Sequence, residues 1–153
     1  SGCRALECRG ARGCAAMVAS REGKQRLVAV GGMEALVPLL YAPGQGCPVD
    51  LGSLYVMKAL LNLSTTPCYQ VALCKVALHA LLGLVNDSRV WPEARQIMRG
   101  ILTNISAHPS NRTHLYSAEL SSKAGRLKAP SDVVPATGMG FFQPQQRGGR
   151  AGT

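Results

Sequence analysis

Two asparagines are the residues here best suited to grip another chain. Asn62 sits within Ala59-Leu60-Leu61-Asn62-Leu63-Ser64, and Asn104 within Ile101-Leu102-Thr103-Asn104-Ile105-Ser106, 42 positions later. A carboxamide offers a donor and an acceptor together, and an extended peptide backbone can satisfy both. An asparagine near a helix end can instead bond local backbone and steady a turn. Catalytic chemistry has no comparable signal. His79, His108 and His114 have no nucleophile and orienting acid beside them in sequence. No phosphate-binding glycine loop and no zinc-protease motif occurs.

The six cysteines, Cys3, Cys8, Cys14, Cys47, Cys68 and Cys74, include no C-x-x-C pair. Cys3, Cys8 and Cys14 are close in sequence but lack a second close ligand pair, so they read as small thiols within helices. That usage suits a reducing compartment, and the expected location is cytoplasmic, nuclear or both. No cofactor and no metal is expected. Four sequons begin at Asn62, Asn86, Asn104 and Asn111. Those at Asn62 and Asn104 fall on helices expected to be packed, where a glycan would not fit, and all four read as chance matches.

The elements that must position the asparagines repeat as well. Ala35-Leu36-Val37-Pro38-Leu39-Leu40 recurs as Ala80-Leu81-Leu82-Gly83-Leu84-Val85, 45 positions on, and each asparagine copy reaches a proline, Pro67 or Pro109, five residues later. Self-similarity at roughly 40 to 47 residues marks stacked helical repeats. Such units bury their apolar faces against neighbours and build a solenoid. The pattern predicts helices near 33–41, 53–65, 77–85 and 93–107. Residues 4–20 read as an imperfect helix closing a truncated repeat, which makes the chain look like a fragment or a processed product. Gly31-Gly32 predicts a sharp turn between a short helix at 24–32 and the next. The second copy has Val76-Ala77 there, with a short helix at 69–73 and another at 78–85 expected around it.

Composition fits this reading. The 153 residues are 46% apolar but only 5% aromatic, so a Leu, Val, Ala and Met core is expected. The longest apolar run, Val71 to Val85, is interrupted by Lys75 and His79, short of a membrane span. Net charge is +9, which favours acidic partners. Residues 121–153 hold five basic residues against one acidic residue, with three prolines and six glycines, and read as a disordered basic tail. Within it, Arg147-Gly148-Gly149-Arg150 is a single arginine–glycine box of a kind that binds RNA when repeated.

Gly31 to Leu40 followed by Ala59 to Ser64, and Ala80 to Val85 followed by Ile101 to Ser106, resemble armadillo repeats. The resemblance covers residues 24–120 and, more faintly, 4–23. It implies an all-α, right-handed armadillo-type α-solenoid with partial repeats at both ends. The implied divisions are the end of a truncated repeat at 1–23, repeats at 24–66 and 67–109, and the start of another at 110–120. The resemblance also implies a groove lined by the third helices, in which Asn62 and Asn104 would bond the backbone of an extended peptide. Family members that take basic signals place a tryptophan one helical turn before the asparagine. Here that position holds Lys58 and then Gly100. The groove is therefore similar to the basic groove of β-catenin, with Lys58, Arg99 and His108 beside the two asparagines as candidate contacts for an acidic segment. The expected function is a non-enzymatic protein–protein interaction module, a scaffold or adaptor. The alternative is a nucleic-acid-associated protein that uses its basic tail.

Overall fold

The computed structural model describes residues 2–42 and 46–127, with side chains at 5–42 and 46–121. The chain divides into a unit of residues 1–119 and a second of residues 120–153. Of the second, only residues 120–127 are described, and they are helical. The expected tail at 121–153 therefore begins with the end of a helix. Its remainder, including the arginine–glycine box, lies outside the described residues.

Every regular element among the described residues is helical. In chain order these are α1 (Gly2–Met17), α2 (Arg21–Ala29), α3 (Gly32–Leu36) with a 3₁₀ turn at Val37–Leu40, and α4 (Leu51–Ser64). Then come α5 (Pro67–Val85), α6 (Pro92–Ala107), a 3₁₀ turn at Pro109–Asn111, and α7 (Arg112–Leu127). The helices expected near 53–65 and 93–107 are present within a few residues, while the one expected near 33–41 is a five-residue α-helix continued by the 3₁₀ turn.

Local chemistry sets the boundaries. Ser20 caps α2, its Oγ accepting from the Gly23 amide at 3.0 Å. The first helix of that copy thus starts three residues before the expected boundary at 24. Gly31, at φ 72°, holds the left-handed conformation that separates α2 from α3. Pro38 lacks the N–H that would continue α3, which tightens into the 3₁₀ turn. Asp50 caps α4, its Oδ1 accepting from the Ser53 amide at 2.8 Å. Pro67 and Pro92 occupy first-turn positions of α5 and α6, where a missing N–H costs nothing.

One expectation needs correction. The short helices at 69–73 and 78–85 are a single 19-residue helix, α5. Val76-Ala77 supplies neither a positive φ nor a break in hydrogen bonding, so the helix runs through. Uninterrupted, α5 is long and apolar enough by composition to cross a membrane. In this fold its Leu73, Ala77, Leu78, Leu81 and Leu84 are buried in the core, and the helix packs on α4 and α6.

Helix α4 is the centre of the packing. It lies against α1 and α6, and also touches α5 and the 3₁₀ turn at Val37–Leu40. Val56, Met57, Ala59, Leu60 and Leu63 are all fully buried. A helix apolar on most of its surface is suited to lie between other helices. Burying each large side chain contributes about 1.5–3 kcal/mol. In the loop before α6, Arg89 grips Asp87 through two side-chain contacts, at 3.1 Å and 2.7 Å, and through its own backbone N–H. Those bonds hold the Asp87 carboxyl well below its usual range, at about 2.

Candidate functional site

The site is built on α4 and α6. Lys58 and Asn62 are four residues apart on α4, so they are neighbours on one helix face. Lys58 is exposed and makes no ion pair among the described residues, and Asn62 is half-buried. The Asn62 side chain makes no hydrogen bond among the described residues, although its backbone carbonyl accepts from Thr65 Oγ1 at 2.7 Å.

Asn104 differs. Its Nδ2 donates to Ser64 Oγ at 2.9 Å, tying α6 to the last residue of α4. The two asparagines occupy equivalent positions in sequence but unlike environments. Asn104 keeps an unbonded Oδ1 as an acceptor, while Asn62 has its whole amide available.

Gly100 lies where α6 packs on α4. A Cβ there would lie 3.3 Å from Leu61 Cδ1, a tight contact that the Leu61 side chain would have to relieve by a few tenths of an ångström. The residue that sequence comparison matches to Lys58 therefore faces α4. Arg99 is exposed on α6, with its backbone carbonyl accepting from Thr103 Oγ1 at 2.9 Å. His108 follows the end of α6, half-buried, and its Nδ1 accepts from the Ser110 amide at 3.3 Å. That bond makes His108 a cap of the following 3₁₀ turn.

A further set of residues joins successive helices, and sequence reading passed over it. Gln70 Nε2 donates to the Ser64 carbonyl at 2.9 Å. Asn111 Nδ2 donates to the Ile105 carbonyl at 2.9 Å and to the Gln70 carbonyl at 3.1 Å. Gly23 lies against the Met17 carbonyl. In each case the residue stands six positions after its carbonyl, in the first turns of α2 and α5 for Gly23 and Gln70 and immediately before α7 for Asn111. The signal was present as Met17/Gly23, Ser64/Gln70 and Ile105/Asn111, but the three side chains differ so much that a residue-type comparison conceals it.

Comparison with family models, curated proteins and solved structures returns no match. Among the described residues no group of three or more His, Cys, Asp and Glu is placed to hold a metal ion. The side chain of Cys3 lies outside those residues, while Cys8, Cys14, Cys47, Cys68 and Cys74 carry free thiols. Burial pushes the Cys74 thiol up from its ordinary range. Of the sequon asparagines, Asn111 is fully buried and committed to two backbone carbonyls.

Proposed function

We propose that this chain is a non-enzymatic interaction module of armadillo type, which holds an extended acidic segment across the face formed by α1, α4 and α6. In this reading the three helices close successive repeats of a right-handed solenoid. The packing of α4 against both α1 and α6 supports it, as does the spacing of the motif copies. The observation that carries the functional part is the unbonded Asn62 amide one turn from the unpaired Lys58. An amide with no protein partner can bond a ligand that supplies both a donor and an acceptor. An extended backbone does so, and acidic side chains along it would meet Lys58. A scaffold or adaptor role follows from such capture.

The test uses the full chain and a fluorescent decapeptide of alternating Asp and Val, followed by anisotropy. Asn62→Ala is expected to weaken binding about fivefold, the effect of one lost hydrogen bond near 1 kcal/mol. Lys58→Glu is expected to weaken it at least tenfold and to flatten its salt dependence, since a charge in the ligand path is reversed. Asn104→Ala should act mainly on stability, because its donor is already committed to Ser64. Unchanged affinity in both Asn62→Ala and Lys58→Glu would remove the assignment.

A further inference from the structure

A cavity opens between α2 and the start of α5, just past the C-terminal end of α4. Its volume is about 390 Å³, and its lining includes Arg21, Lys24, Gln25, Thr66, Cys68 and Tyr69. That is within the range of small-ligand sites, roughly 300–1,000 Å³. Its lining has two cations and no carboxylate.

Lys24 is held in place. Its Nζ donates to Thr65 Oγ1 at 3.1 Å and to Thr66 Oγ1 at 3.0 Å. Both acceptors are neutral hydroxyls, so they leave its charge uncompensated and one N–H to spare. Thr66, having accepted that bond, can still donate its own hydroxyl proton. Arg21 is exposed and makes no hydrogen bond or ion pair among the described residues, which leaves the guanidinium fork open. The positive end of the 19-residue helix α5 adds field of the same sign at Thr66 and Cys68.

We propose that this cavity binds a phosphate monoester. A phosphate monoester carries a charge of about −1.5 to −2 at neutral pH and three acceptor oxygens. Arg21 and Lys24 match that charge, whereas a single carboxylate would leave one cation unneutralised. The Arg21 fork suits bidentate contact with two phosphate oxygens. Lys24 and the Thr66 hydroxyl supply donors to the third, and the Tyr69 ring offers a wall for the esterified group.

Isothermal titration of the full chain tests this with two probes, phenyl phosphate and a serine-phosphorylated hexapeptide, the unphosphorylated hexapeptide serving as control. Saturable binding at one site is expected for at least one phosphorylated probe and none for the control. Tighter binding of the peptide identifies phosphate borne by a protein, and tighter binding of phenyl phosphate a small ester. Arg21→Gln should weaken binding at least tenfold with an unchanged unfolding midpoint, because Arg21 has no structural bond to lose. Lys24→Gln should weaken it similarly. Lys58→Glu should leave it unchanged, which separates this cavity from the acidic-peptide face. Absence of saturable binding, unaltered affinity in Arg21→Gln, or loss of affinity in Lys58→Glu would each overturn the proposal.

Discussion

Gly23→Ala is expected to destabilise the chain by about 3 kcal/mol, although alanine normally strengthens a helix relative to glycine. Gly23 is buried in the first turn of α2, and its φ is not positive, so backbone conformation does not require glycine there. Space does. A Cβ would stand 1.8 Å from the Met17 carbonyl oxygen and 2.6 Å from its carbon, which is backbone and cannot swing aside. The start of α2 would have to leave the end of α1. Gly13 provides a control of opposite sign. Gly13 is itself exposed on α1, and a Cβ there meets nothing within 4 Å. Gly13→Ala should therefore gain up to about 1 kcal/mol from helix propensity alone. Urea unfolding midpoints of the two variants should move in opposite directions. Parallel movement would mean that α1 and α2 do not meet at Met17 and Gly23.

Asn111→Asp is expected to cost more, about 3–5 kcal/mol at neutral pH. Asn111 is fully buried and donates to two backbone carbonyls, Gln70 and Ile105, from one Nδ2. Its Oδ1 has no partner. Replacing the amide by a carboxylate removes both bonds, sets a negative oxygen against two carbonyl dipoles, and buries a charge. Asn111→Ala loses the bonds but buries no charge, so its cost should be nearer 2 kcal/mol. The two variants should also differ in pH dependence. Burial raises the introduced carboxyl's folded-state pKa above its unfolded value. Asn111→Asp should therefore recover stability relative to Asn111→Ala as pH falls, and lose it as pH rises past the ordinary carboxylate range. Equal costs at all pH values would show that residue 111 is solvated.

These two sites show where sequence was informative and where it was not. Helices α4 and α6 were legible because their leucines and isoleucines recur around an asparagine and are followed by a proline. That pattern depends on local spacing. Gly23, Gln70 and Asn111 do one job with three unlike side chains: one makes room, and two donate to a carbonyl. Only the geometry of the preceding helix end unites them. The continuity of α5 was hidden for a related reason. A turn depends on one residue reaching positive φ, as Gly31 does, and Val76-Ala77 reads as apolar surface whether the chain bends or continues. Lys24 bonding Thr65 and Thr66, 41 and 42 positions away, leaves no trace in periodicity. At the candidate site, Lys58 and Asn62 were legible as a pair. The division between an open Asn62 and a committed Asn104 was not, because it depends on a contact with Ser64, 40 positions away, that residue type alone does not reveal.

The most direct test of the proposed peptide face is the Asn62 side-chain amide itself. Its NH₂ resonances can be followed in ¹⁵N-labelled full chain while the Asp–Val decapeptide is added, with Asn62→Ala used for assignment. The account predicts a saturating downfield shift of the Asn62 pair as its amide gains a backbone partner, with a smaller movement at Asn104 and the same midpoint as the anisotropy titration. Saturable peptide binding that leaves the Asn62 resonances in place would contradict it.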